Sequence, residues 1–452
     1  MTKTSKTEKG FMAGLISLII PMTLQNFMFA LIPVSDTMML VALDQDAMSS
    51  VSLAAQMSFI MSLFVSALVS GLCIFVAQYW GKKDIAGISR SFGYVIRITL
   101  PVLISLWAMA FFLPMGVMAI FSDSPSIINH GINYLRIASF SYIFSGVAQL
   151  YGGILKNIGY VKQCTVIGIA MVLMNIGFNA IFIFGLLGIP RMQEAGAALG
   201  TTLSCLIAMV AYMVLFVRSG VVKIGVRDIF YTEPEFRKDF SKYATPTLAN
   251  SMLWGFGFAM ITVIMGHLGP DATAANAIVA VAKDLVSCFC FALAYGGAII
   301  VGNELGAGNL ERARQYGDRL CHLAIGSGII AGVLLAASTP IVVHLVDLSP
   351  QASHYLTWML ILCVYYLMGR SINSTVISGI FTAGGDTKFG FICDTITMWA
   401  FIVPVGALAA FVFKWPVMVV YFLLNLDEMI KLPAVYWYYK KYNWVKNIVD
   451  KD

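Results

Sequence analysis

A few charged and amide side chains fall inside long apolar runs, and these are the residues with chemistry to offer. Asp36 lies in Ile32-Pro-Val-Ser-Asp-Thr37. A carboxylate within hydrocarbon is costly to keep and so marks function by default. It sits roughly 9 Å along a helix from the end of its apolar run, and Pro33 removes a backbone donor beside it. Asn175 and Asn179 follow at i, i+4, hence on one helix face. Thr201 comes directly after Gly196-Ala-Ala-Leu-Gly200. A second set lies later in the chain: Lys283 and Asp284, Arg370 and Asn373, and Asp394. Lys283 and Asp284 are adjacent, so they point in different directions and need separate partners. Asp427, Glu428 and Lys431 have the spacing of a surface i, i+3 or i, i+4 pair. The eight Cys form no C-x-x-C pair and the five His show no metal spacing, so the Cys are expected to fill helix contacts. There is no G-x-x-x-x-G-K-S/T phosphate loop.

These residues must be positioned by membrane-crossing helices. The 452 residues are 59% hydrophobic and only 12% charged, whereas soluble proteins carry roughly 25% charged residues. That composition excludes a soluble enzyme, a nucleic-acid binder and a disordered chain, because a water-soluble globule could not hide so much apolar surface. Twelve stretches reach the ~20 apolar residues a spanning helix needs: 11–42, 47–79, 92–120, 131–155, 160–188, 194–217, 240–268, 272–304, 318–346, 352–381, 389–413 and 416–439. Ten-residue alternating segments are absent, which argues against a membrane barrel. The first run is too long for a signal peptide and is expected to remain in the mature protein.

Basic residues set the orientation. Twenty-two of the 29 Lys and Arg fall in the two tails and the even-numbered loops, against two in the odd-numbered loops. Both termini are therefore expected in the cytoplasm. The chain also matches itself at a shift of 225, with Pro21 falling on Pro246, Gly71 on Gly296, Gln78 on Asn303 and Gly81 on Gly306. A shift held over much of the chain signals duplication. Each half carries six spans, an even number, so the halves share one orientation and are related by an axis along the membrane normal. The expected fold is all-α and integral to the membrane, with twelve transmembrane helices in two pseudo-symmetric six-helix lobes. The expected boundaries are 1–222 for the N-terminal lobe and 223–452 for the C-terminal lobe with its preceding linker. Glu235 to Tyr243 is expected as a short amphipathic helix on the inner surface.

The twelve-span, two-lobe pattern resembles the multidrug and toxic compound extrusion (MATE) family. Val301-Gly-Asn-Glu-Leu-Gly-Ala-Gly-Asn309 resembles that family's loop after the second helix of a lobe, and Gly379-Ile-Phe-Thr-Ala-Gly-Gly-Asp-Thr-Lys388 its loop after the fourth. Asp36 stands where many members carry a first-helix aspartate. The resemblance implies cation-coupled export of amphipathic, often cationic, organic compounds by alternating access, driven by inward H⁺ or Na⁺. It places Asn175, Asn179 and Thr201 beside Asp36 as the coupling site, where Na⁺ would bind if Na⁺ is the coupling ion. Two departures stand out. Many members have Asp where this chain has Asn179, which weakens the case for a strong Na⁺ site. Some have a glutamate in the seventh span, where this chain reads Asn250-Ser-Met-Leu-Trp254.

The chain has 25 Met, 30 Phe, 19 Tyr and 8 Trp. Flexible Met side chains suit a pocket for varied shapes, and aromatic faces attract organic cations. Gln25, Phe27, Asn250, Trp254, Phe258, Lys283 and Asp284 are the candidate substrate-cleft residues, with Phe256, Phe289 and Phe291 as further aromatic candidates. No cofactor beyond the coupling ion, no enzymatic activity and no nucleic-acid partner are expected. The expected setting is a monomer in a prokaryotic plasma membrane. Two alternatives rank lower. A lipid-linked oligosaccharide flippase of a related fold would want a strongly basic cavity. An integral-membrane prenyl-group transferase would want clustered carboxylates for Mg²⁺ and diphosphate, and no D-D-x-x-D run occurs.

Overall fold

A computed structural model describes residues 3–41, 45–223, 225–230, 234–346 and 348–450. Among the described residues the ordered structure is entirely helical. In chain order the helices are α1 (Lys3–Val41), α2 (Gln45–Lys82), α3 (Ile85–Phe112), α4 (Pro114–Ala119), α5 (Pro125–Asn157), α6 (Val161–Phe184), α7 (Gln193–Ser219) and α8 (Val226–Phe230). They continue as α9 (Pro234–Gly266), α10 (Pro270–Gly306), α11 (Leu310–Leu345), α12 (Pro350–Asn373), α13 (Thr387–Thr395), α14 (Val403–Ala407), α15 (Val417–Leu424) and α16 (Asp427–Tyr439). Ten helical stretches among the described residues are long and apolar enough to cross a membrane. α5 covers the expected fourth span, and α15 with α16 covers the twelfth, which completes the expected pattern.

Local sequence sets the helix ends. Pro stands in the first turn of α4, α5, α10 and α12, where its missing N–H is not needed. The Asp84 carboxylate accepts from the Gly87 N–H at 2.8 Å to cap α3, and the Ser349 hydroxyl caps α12 through Ala352 N–H at 3.0 Å. Gly185 closes α6 in the left-handed region, at φ 71°. Large apolar side chains such as Val217, Leu345 and Trp437 remain exposed, as lipid-facing residues would.

Two expectations change. Glu235–Tyr243 is not a separate helix but the first turns of α9. Pro234 starts that helix with a fixed φ and nothing interrupts the hydrogen-bond ladder before the apolar segment. The twelfth span is not continuous, because the helix stops at Leu424 and restarts at Asp427. The route from α12 to α14 also winds through i→i+5 turns at Ser374–Phe381 and Ile396–Ile402, a distortion frequent near functional groups.

The chain divides into two compact units. One comprises Leu24–Val76 and Asp84–Phe240. Its core gathers Val65, Leu103, Met118, Leu135, Tyr142 and Ile183. The other comprises Met1–Thr23, Ala77–Lys83 and Ser241–Asp452. Its core gathers Leu356, Leu360, Cys363, Leu367, Tyr421 and Leu424. In this unit the end of α2 packs on the end of α10, and the chain beyond α16 folds back onto both. Gln78 clamps that tail, donating to Ala383 O at 2.7 Å and accepting from Ile448 N–H at 2.8 Å.

Candidate functional site

The α1–α6–α7 site is built around Asp36. Asn179 Nδ2 donates to Asp36 Oδ1 at 2.7 Å. One turn away on the same face of α6, Asn175 Nδ2 donates to Thr201 Oγ1 at 3.1 Å. The structure thus brings the four residues together as two bonded pairs, linked by the i, i+4 spacing of the asparagines. Both asparagines are buried, and with their amino groups so engaged, each leaves its Oδ1 without a donor. A buried acceptor without a partner is costly, and a cation or a protonated group would relieve it. The donor set of one carboxylate, two amide oxygens and a hydroxyl therefore suits a small hard cation. Among the described residues no group of three or more His, Cys, Asp or Glu side chains gathers into a metal site.

Two glycines allow this closeness. A Cβ at Gly196 would strike the Phe182 backbone, and one at Gly200 would overlap the Asn179 side chain. The spacing Gly196-x-x-x-Gly200 lets α7 approach α6 backbone to backbone. Tyr134 on α5 lies within electrostatic reach of Asp36. Sequence reading missed it, because a tyrosine in an apolar run carries no distinguishing signal. Gln25 is spent on packing: its Nε2 donates to Tyr212 Oη at 3.3 Å and Cys164 O at 3.4 Å. Phe27 is exposed.

A second polar cluster lies among α9, α10, α12, α13 and α16. Lys431 Nζ is 2.9 Å from Asp394 Oδ1, 3.3 Å from Glu428 Oε2 and 3.9 Å from Asp427 Oδ2. The i, i+3 and i, i+4 pairs form, but they are buried rather than on the surface, with Lys431 only 5% exposed. α16 restarts at Asp427 and packs inward, with Glu428 against Arg370 and Asn373 of α12 and Lys431 against Asp394 of α13. Arg370 Nη1 donates to Tyr366 Oη at 2.6 Å and lies 3.9 Å from Glu428 Oε1. Asn373 Nδ2 donates to Glu428 Oε2 at 2.8 Å. Asn250 Nδ2 donates to Asp394 Oδ2 at 2.9 Å. Each of these ions thus lies within 4 Å of an opposite charge, as burial requires.

Lys283 and Asp284 take separate surroundings. Lys283 Nζ donates to Asn425 Oδ1 at 3.0 Å, at the helix break, and lies 4.4 Å from the Tyr366 ring centroid. Asp284 is exposed. Trp254 and Phe258 stack with centroids 5.4 Å apart. Phe291 lies under the Arg370 guanidinium at 5.0 Å, whereas Phe256 and Phe289 are exposed. Tyr366 and Asn425 were missed in the sequence, since neither stands out until the break in the last span puts Asn425 against Lys283.

A many-spanning helical chain that holds polar clusters inside its apolar helices has the architecture of a multi-pass membrane protein. The MatE family model matches residues 21–181 and 246–408, so the chain belongs to that family, the MATE transporters. The two matched stretches begin 225 residues apart, the shift of the internal repeat. Curated relatives include the uncharacterized transporter YisQ of Bacillus subtilis (strain 168), 20% identical, with 96% of this chain and 95% of the relative covered. The probable multidrug resistance protein YoeA of the same organism is 22% identical, with 90% and 88% covered. Among solved structures, a Vibrio cholerae MATE transporter, VcmN, determined as an aspartate-to-asparagine mutant, superposes with a TM-score of 0.87 at 13% identity, covering 97% of this chain and 99% of that one.

Proposed function

We propose that this protein is a cation-coupled antiporter that exports amphipathic or cationic organic compounds, with Asp36 as the carboxylate that binds the coupling ion, H⁺ or Na⁺. The observation that carries the reading is the Asp36–Asn179 hydrogen bond beside two donorless amide oxygens. Asp36 Oδ1 is held in place, while the Asn175 and Asn179 oxygens offer coordination that a bare helix contact does not need. Thr201 orients Asn175. An arriving cation would meet all four groups, and an organic cation competes with it for the same negative charge. That competition is the simplest basis for exchange.

The duplicated chain supports alternating access, since repeated lobes can tilt about a central path. The basic tails and even loops support cytoplasmic termini and a plasma-membrane setting. Phe27, Asn250, Trp254, Phe258, Lys283 and Asp284 remain the proposed substrate-facing groups, whereas Gln25 serves helix packing. The test is purified protein in liposomes given a pH step or a sodium step separately, while dye flux is recorded. One step is expected to drive flux, and Asp36→Asn to abolish it with membrane insertion intact. Flux unchanged by that substitution would defeat the reading.

A further inference from the structure

Two contacts hold α5 and α7 side by side. Thr202 Oγ1 donates to Ile137 O at 3.1 Å, and two turns earlier on both helices His130 Nδ1 lies 3.0 Å from Glu194 Oε1. The helices therefore run parallel, and both start at the face that the basic residues assign to the outside. The His130 side chain is 29% exposed, whereas that of Glu194 is 6% exposed. One partner meets water and the other does not. An acid in the first turn of α7 could serve as a cap, but no side chain caps that helix. Instead Glu194 Oε2 is buried with no hydrogen-bond partner. An open buried carboxylate oxygen is costly, and a proton on it removes the charge.

The surroundings leave this pair to itself. Asp123, Arg136 and Arg191 are exposed, and Arg191 Nε donates to Phe184 O. α3, α4 and α6, the other helices packed on α5 and α7, carry no titratable side chain in their outer halves. Inward stands the α1–α6–α7 site. Thr201 follows Glu194 at i, i+7, on the same face of α7. Tyr134 follows His130 at i, i+4 on α5, and it is buried within electrostatic reach of Asp36. We propose that His130 and Glu194 form the outer proton port of the Asp36 site. The imidazolium that forms in outside water gives its Nδ1 proton to Glu194 Oε1. That leaves a neutral imidazole and a neutral carboxylic acid. The acid releases its proton inward, toward Tyr134 and Asp36, and is a carboxylate again. Chains of His and Asp or Glu relay protons in pumps, and histidine as a residue type exchanges protons near neutral pH. The inference rests on the coupling reading at Asp36 and narrows its ion to H⁺.

Full-length protein in liposomes, given a pH step while dye flux is recorded, tests it. Imidazole, a diffusible proton carrier, is present or absent on the acidic side. His130→Ala should slow the flux about 100-fold, the low end of what a positioned proton carrier contributes, and imidazole should restore most of it. A residue that only ties α5 to α7 would show no such rescue. Glu194→Gln keeps a hydrogen bond to His130 but holds no acid proton. It should be as slow with imidazole as without, in protein that elutes as a single folded species, and if it does not fold, His130→Ala carries the test alone. Parent-like flux in these variants, a His130→Ala defect that imidazole leaves untouched, or flux that only a sodium step drives overturns the port. Asp36→Asn separates this failure from that of the underlying reading. Flux indifferent to Asp36→Asn defeats coupling at Asp36, whereas flux abolished by it, alongside any of those three outcomes, defeats the port alone.

Discussion

Gly81 lies against the backbone carbonyl of Asn303, and Gly306 lies against the backbone carbonyl of Gln78. The relationship is reciprocal, because Gly306 is Gly81 shifted by 225 and Asn303 is Gln78 shifted by the same amount. Gly302 lies against the Cβ of Ala77, its own counterpart at that shift. The duplicated ends of α2 and α10 therefore pack on each other about a local two-fold axis. Only residues without Cβ allow two backbones so close.

Substituting either glycine drives a carbon into backbone, which cannot rotate away. Gly306→Val is expected to destabilise the protein by about 1–3 kcal/mol, the range for overpacking. Thermal unfolding in detergent should show it. Gly326→Ala, with open space at its Cβ, should leave the transition within error.

Gly200 makes room for Asn179 beside Asp36. Gly200→Ala should push the Asn179 amide off the carboxylate and lower ion-driven dye flux about ten-fold, matching roughly 1.4 kcal/mol for one lost hydrogen bond. Gly177→Ala on α6, the helix that carries Asn179, meets nothing within 4 Å and should transport normally. Equal behaviour of the two variants would remove Asn179 from the site.

Lys431 lies within 4 Å of three carboxylates in a buried setting. Lys431→Met should cost about 3–5 kcal/mol, because it strands buried negative charge. Adding Asp394→Asn should recover part of that loss. Unfolding midpoints of the single and double variants measure both effects, and a double variant no better than the single would separate Asp394 from the pair.

Trp444 is 0% exposed and stacks on Tyr439 at 5.7 Å, over the space left by Gly317. Trp444→Ala should cost about 3–5 kcal/mol. It should also release the C-terminal segment that Gln78 holds, making the chain after Tyr439 sensitive to limited proteolysis. Resistance equal to the parent protein would show that Trp444 does not secure the tail.

Much was legible in the residues alone. Hydropathy and span length determined a helical membrane protein, since only self-satisfied backbone survives in hydrocarbon. The repeat at 225 determined the duplicated plan, and an acid inside an apolar run singled out Asp36. The i, i+4 spacing put Asn175 and Asn179 on one face before any coordinates were known. Tertiary structure alone decided which groups meet. It joined Asn179 to Asp36, withdrew Gln25 into a packing contact with Tyr212, and buried Asp427, Glu428 and Lys431 where spacing suggested a surface pair. It also broke the last span at Asn425, which put that amide on Lys283. Periodicity reports the face of one helix, whereas the partner of a polar group depends on which helices approach, how closely their small residues allow it, and where a helix breaks.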